Sequence, residues 1–297
     1  MHLHFESITE ERVQFLEKDN ISVSVLRLDK IHPVISGNKW FKLQHYLKEA
    51  KEQRKERIIT FGGAWSNHIV ATAAACKAND ILSTGIIRGE EPAQPSETLI
   101  QARTYGMQLY FVSRDEYSKK KLPAALLDEN YYLINEGGFG KQGADGASDI
   151  LGYCGNDPIA VGFTHCCAAV GTGTMLAGLI NAASPEQQVV GISVLKNNYA
   201  LEQSVASLLK REPKQWQIIH DYHFGGYAKF TAALIRFMNE LYYEAKIPSD
   251  FVYTAKLFYA IADLINCNYF PAGSRILVIH SGGLQGNHSL GKGTLIY

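Results

Sequence analysis

The sequence predicts an α/β protein of two units, each built on a mostly parallel sheet with helices on both faces. Three observations lead there. Short apolar runs at 57–61, 82–87, 108–112 and 131–134 alternate with helical stretches near 67–79 and 97–105, and the rhythm returns over 159–194; successive βα units read this way. Glycines stand directly after strand-like runs, at Gly62-Gly63, at Gly171 and Gly173, and at Gly282-Gly283, where the chain must turn tightly. A glycine-rich piece, Glu136-Gly137-Gly138-Phe139-Gly140-Lys141-Gln142-Gly143, separates the two series and marks a crossing between units. The expected division is a small α/β domain over 53–140 and a large domain made of 1–52 with 141–297.

Residues up to about 20 carry the spacing of a short amphipathic opening helix. Ser22-Val23-Ser24-Val25-Leu26-Arg27-Leu28 alternates as a half-buried strand does. Gly37-Asn38 then leads into Lys39-Trp40-Phe41-Lys42-Leu43-Gln44-His45-Tyr46-Leu47, apolar at helical spacing, with Ser36 or Asn38 as its cap. The charged patch 48–57 reads as the solvated end of that helix, and 114–130 has no clear pattern. In the second series, 159–170 and 188–194 read as strands around a helix at 174–183. Helices near 201–210, 231–244 and 255–266 precede a last strand at 275–279.

Composition removes several function classes. Lys+Arg and Asp+Glu both number 29, so no global field draws the chain to nucleic acid or to an anionic membrane. The first residues lack the basic-then-apolar order of a signal peptide, and the most apolar stretch, 159–180, is broken by His165 and the close pair Gly171 and Gly173, so no transmembrane span is expected. Five cysteines with no CxxC pair suit reduced thiols and a cytoplasmic protein, with Cys166-Cys167 as core residues.

The chemistry gathers at four places. Lys39 falls in the first turn of its helix, where the positive end of the dipole disfavours an ammonium; with some desolvation its amine becomes a nucleophile toward a carbonyl. Gly62-Gly63-Ala64-Trp65-Ser66-Asn67-His68 joins a strand to an alanine-rich helix. Such a junction points free N–H groups at an anion such as a carboxylate, with Ser66 and Asn67 adding a hydroxyl and an amide. The plainer alternative is a βα loop in which Ser66 or Asn67 only caps the helix, with His68 a packing residue. Val170-Gly171-Thr172-Gly173-Thr174 offers two glycines and two hydroxyls before another helix, which suits a phosphate monoester. It lacks the Gly-Lys-Ser/Thr of a Walker loop, and the next strand ends Ser193-Val194-Leu195-Lys196 without the acid a dinucleotide fold needs. The last junction is His280-Ser281-Gly282-Gly283. His220 and His223 lack a third ligand at metal spacing, so no metal is expected.

Gly37-Asn38-Lys39-x-x-Lys42-Leu43, Gly62-Gly63-x-x-Ser66-Asn67-His68, Gly171-Thr172-Gly173-Thr174 and His280-Ser281-Gly282-Gly283 stand in the order seen in fold-type-II pyridoxal phosphate enzymes. The sequence resembles most closely the branch of 1-aminocyclopropane-1-carboxylate deaminase and D-cysteine desulfhydrase, over roughly residues 20–290. The resemblance implies a tryptophan synthase β-like fold, pyridoxal 5'-phosphate as cofactor, a small amino acid as substrate and a homodimer. It makes Lys39 the Schiff-base lysine that later moves the α-proton. Lys42 with Gly171, Thr172, Gly173 and Thr174 would take the phosphate, and Asn67 the cofactor's 3-oxygen. Ser66 and the backbone at Asn67 and His68 would hold the substrate carboxylate. Tyr227, in Gly225-Gly226-Tyr227-Ala228, and Tyr253, in Val252-Tyr253-Thr254-Ala255-Lys256, match the family's two active-site tyrosines.

Departures bear on the substrate. The stretch Lys30-Ile31-His32-Pro33-Val34-Ile35 lacks the Arg-Asp pair common in the branch, alanines at 228 and 255 replace glycines, and Trp65 stands where smaller side chains are common. Position 254 decides between activities. The resemblance places it against the cofactor's ring nitrogen, where a glutamate would strengthen the electron sink that cyclopropane opening requires. Thr254 is uncharged, which implies β-elimination, as in D-cysteine desulfhydrase, giving pyruvate and ammonia (plus sulfide from cysteine). The alternatives are ring-opening deamination or a cofactor-binding homologue without turnover.

Overall fold

The computed structural model describes residues 3–127, 130–154, 162–210 and 215–297. Its elements run β1 (Glu10–Arg12), β2 (Ser22–Arg27), α1 (Asn38–Glu52), β3 (Arg57–Gly62), α2 (Asn67–Lys77), β4 (Leu82–Arg88), α3 (Glu97–Thr104), β5 (Gln108–Val112), α4 (Arg114–Ser118) and β6 (Tyr131–Ile134). They continue through α5 (Lys141–Ser148), β7 (His165–Val170), α6 (Thr174–Ala182), β8 (Gln188–Ser193), α7 (Leu201–Ala206), β9 (Trp216–Ile219), α8 (Ala232–Ala245), α9 (Thr254–Asn266) and β10 (Arg275–His280). Two sheets form. One has the order β5-β4-β3-β6 and is parallel throughout. The other has the order β1-β2-β10-β7-β8-β9, parallel except for β1 at its edge.

The period of two along β7 and β10 explains why helices cover both faces of the larger sheet. Cys166, Ala168 and Val170, with Leu277 and Ile279, pack into the cluster that includes Phe41 of α1 and Leu176 and Leu179 of α6. Their neighbours Cys167 and Ala169, with Ile276 and Val278, pack on the opposite side against Phe258 and Ile261 of α9 and Leu241 of α8. Strands apolar on both faces are what a doubly covered parallel sheet requires. Cys166 and Cys167 are thus core residues, one on each face.

Several expectations change. The opening helix is absent. Residues 10–12 pair antiparallel with 24–26 of β2, and single 3-10 turns at Phe5–Ser7 and Gln14–Leu16 tuck Leu16 inward. Over so few residues helical spacing did not outweigh the open edge of β2. Neither Ser36 nor Asn38 caps α1; Gly37 does, at φ 59, because a Cβ there would stand 1.9 Å from the Ser281 carbonyl oxygen. The glycine-rich crossing piece runs into a helix, α5, from Lys141 onward, and Gly146 of that helix serves packing: a Cβ there would fall 1.9 Å from the Phe41 carbonyl oxygen of α1. Within the run expected as a strand from 159, positions 159–161 lie outside the described residues and the strand begins at His165. The short edge strand β9 carried no recognisable pattern, and 114–130 yields α4, closed by a Ser113–Glu116 capping box.

Candidate active site

The carboxyl ends of the strands and the helix N-termini beyond them meet around Lys39. The Ser281 carbonyl at the end of β10 accepts the Asn38 N–H, and a Cβ on Gly282 would stand 2.2 Å from Ser36 Oγ, so these two glycine turns interlock. The interlock fixes where α1 starts. Lys39 Nζ donates to Asn38 Oδ1 at 2.7 Å and lies 6.0 Å from the Tyr253 ring centre. Burial brings its ammonium down to about 8, against the upward pull of the Asp250 carboxylate. One turn on, buried Lys42 donates to the Gly137 carbonyl at 2.7 Å; burial, then repulsion from Lys39, holds its ammonium well below the usual lysine range.

Gly137 ties Lys42 to the second junction, since a Cβ on Gly137 would meet Thr172 Cγ2 at 2.8 Å. Gly173 caps α6 at φ 84, and a Cβ there would stand 2.8 Å from Val205. A Cβ on Gly171 would lie 3.2 Å from the Tyr253 ring, and the Thr172 and Thr174 hydroxyls are 3.1 Å apart. The result is an N-terminal cradle beside Lys42 with close backbone approach on both sides.

At the first junction Ser66 caps α2, as the plainer alternative expects. Its Oγ accepts the Ile69 N–H as the cap of α2, and the hydroxyl proton is left to donate elsewhere. Asn67 donates to the Gly283 carbonyl at 3.1 Å, while its Oδ1 is buried without a partner among the described residues. His68 is buried. Thr60 Oγ1 gives its one proton to the Ile134 carbonyl, so at 2.9 Å it accepts from His68 Nε2–H, and Nδ1 keeps a bare lone pair with no described partner. Burial, then Lys42 and Lys39, holds that imidazole neutral by lowering it well below the usual range. Trp65 stands half exposed beside them.

Tyr253 and Tyr227 meet edge-on at 6.1 Å, Tyr253 partly buried and Tyr227 half exposed. Thr254 is fully buried and its surroundings were not legible in sequence. Its Oγ1 donates to Asp250 Oδ1 at 3.1 Å and accepts the Asp250 N–H at 2.7 Å. The Asp250 carboxylate also accepts N–H groups from Tyr253 and Thr254. Burial raises its carboxyl nonetheless. Lys256, also fully buried, donates to the His223 and Gly226 carbonyls at 2.9 and 2.8 Å and so holds the turn that presents Tyr227. Asp250 lies in no motif, and Lys256 looked like a motif remnant, so sequence reasoning passed over both. His280 is enclosed, donating to the Pro248 carbonyl and facing Asp29, which Arg27 grips with two bonds. His220 bonds Glu202 at 2.7 Å and His223 Nδ1 accepts the Gly225 N–H. Among the described residues no three His, Cys, Asp or Glu side chains gather as a metal site.

The geometry thus brings Lys39, Lys42, Ser66, Asn67, His68, Gly171–Thr174, Tyr227, Tyr253 and Thr254 to one cleft between the sheets. A match to the family described as "Pyridoxal-phosphate dependent enzyme" spans residues 11–282. A Pyrococcus horikoshii protein provisionally named 1-aminocyclopropane-1-carboxylate deaminase is 27% identical over 273 residues, covering 86% of this chain and 83% of its own. The D-cysteine desulfhydrase of Klebsiella pneumoniae is 26% identical over 287 residues, covering 88% and 86%. Among solved structures, one of an ACC deaminase homologue superposes with a TM-score of 0.82 at 25% identity, over 94% of this chain and 90% of that one. The chain belongs to the family of pyridoxal-phosphate dependent enzymes.

Proposed function

We propose that the protein is a lyase that eliminates the β-substituent of a small amino acid, in the manner of D-cysteine desulfhydrase, so that cysteine and water give pyruvate, ammonia and sulfide. Pyridoxal phosphate, bound through its aldehyde, supplies the electron sink that lets the α-proton leave. The residues suit that group. Backbone approaches closely at Gly171 and Gly173 with a helix N-terminus behind them, the Lys39 ammonium is brought down to about 8, and two buried polar atoms, Asn67 Oδ1 and His68 Nδ1, have no partner among the described residues. In this reading Lys39 Nζ binds the aldehyde and afterwards carries the α-proton. Lys42 and the N–H groups of 171–174 take the phosphate, and Asn67 the 3-oxygen. Ser66 with the N–H groups of Asn67 and His68 orients the carboxylate, while Tyr227 and Tyr253 enclose the reacting carbon.

One observation carries elimination over ring opening: the side chain at 254 is a hydroxyl, and the nearest carboxylate, Asp250, sits one hydrogen bond behind it with its charge already met by three donors. A charge at second remove strengthens the sink less than a carboxylate in contact. Names in the Pyrococcus line favour the ring-opening alternative. The test is pyruvate release from D- and L-β-substituted alanines against 1-aminocyclopropane-1-carboxylate. Elimination should be the faster; ring opening ahead of every β-substituted substrate overturns the reading. We further propose a small domain over 53–140, supported by the four-stranded sheet lying wholly within 57–134, and a homodimer. Five unpaired cysteines support a reducing, cytoplasmic setting.

A further inference from the structure

One cation at the mouth of the cleft has no counter-charge. Arg88 is the last residue of β4, which pairs in register with β3, so it stands at the same sheet edge as Gly62-Gly63. Its Nη2 lies 3.7 Å from where a Cβ on Gly63 would stand, and its guanidinium rests 5.7 Å over the Tyr117 ring. The side chain is exposed, and no carboxylate among the described residues pairs with it. The acids nearby are spent elsewhere: Glu91 on Arg103, and Glu136 on Lys120 at 2.6 Å. From across the cleft Tyr227 lies within its electrostatic reach. Outward from Lys39 the order is therefore Tyr253, Tyr227, Arg88, and Arg88 flanks the loop that carries Ser66.

We propose that Arg88 is a specificity-determining residue that takes an oxyanion, a carboxylate or sulfonate, carried on the substrate's side chain. This rests on the reading above, in which the Ser66 loop holds the α-carboxylate: with that group taken, Arg88 beside the same loop is left to meet a second anionic group. A planar fork suits a carboxylate or sulfonate with two parallel bonds.

The test compares binding of cysteate, which carries a side-chain sulfonate, with binding of serine, which carries none, by titration calorimetry on the holoenzyme. Both enantiomers are used. Arg88→Gln should weaken cysteate about 10- to 100-fold and leave serine unchanged, with Arg88→Lys between the two. Added salt should weaken cysteate more than serine. A loss shared equally by both ligands means that Arg88 serves the α-carboxylate or the loop, and overturns the proposal. No loss for either, or no binding of cysteate by the native protein, overturns it too. Absence of pyruvate from every amino acid would remove the elimination reading alone, because the affinity ratio does not depend on turnover.

Discussion

Lys39 and Lys256 sit in the same field and are put to opposite uses. Burial brings each ammonium down to about 8, and the same Asp250 carboxylate pulls each back up. Their hydrogen bonds differ. Lys256 gives two protons to backbone carbonyls of a turn with positive φ at Gly225 and Gly226, so withdrawing it would break two charge-assisted bonds and leave those carbonyls only the Gly226 and Lys229 N–H groups. Lys39 gives one proton to the carboxamide of its own neighbour on α1 and is fixed by no backbone group. A depressed pKa therefore marks neither as the nucleophile. The freedom to leave its partner does, since an unmade buried hydrogen bond costs about 1–3 kcal/mol.

The largest expected effect separates the two outright. Borohydride treatment of the holoenzyme should fix the cofactor on Lys39, seen by peptide mapping. Lys39→Ala should abolish that adduct and lower turnover by about 10⁴-fold or more, whereas Lys256→Ala should keep the adduct. An adduct mapped to Lys256 would end the distinction.

Stability should move in opposite directions. The folded pKa of Lys39 lies below the usual 10.5. The unfolded chain therefore binds more protons between about 8 and 10.5, and stability climbs with pH across that window; below it the cost is carried in full. In the apoprotein at pH 7, Lys39→Met should gain about 1–3 kcal/mol and flatten that climb. Lys256→Met also removes a buried charge, but it breaks both charge-assisted bonds to the His223 and Gly226 carbonyls and should lose about 1–3 kcal/mol. Urea unfolding at pH 7 and pH 10 reads both, and a gain in the second variant would show that its anchoring bonds carry little.

The smallest effect tests the shared field. Asp250→Asn keeps one acceptor oxygen, which at the Oδ1 position both the Tyr253 and Thr254 N–H groups reach, but removes the charge, so both lysines should titrate lower. The pH dependence of amine acylation, followed at each lysine by mass spectrometry, should show both midpoints falling together. A shift confined to one lysine would mean that Asp250 does not serve as their common counter-charge.

The sequence by itself determined the alternation of strands and helices, the glycine turns after strand ends, and Lys39 in the first turn of a helix. Each depends on backbone conformation within a few residues, where apolar period and turn chemistry speak directly. The same locality misled at the N-terminus, where helical spacing hid an edge strand, and it did not show that α5 begins at Lys141 within the glycine-rich piece. Thr254 was legible as uncharged but not as bonded to Asp250. Only the tertiary structure decided that Gly37, not Ser36 or Asn38, caps α1, that His68 keeps Nδ1 free, and that Lys256 anchors while Lys39 stays loose. Burial and hydrogen-bond satisfaction are set by groups remote in the chain, Ser281 against Gly37 and Asp250 against Lys39 among them, and no local pattern records which remote group will arrive.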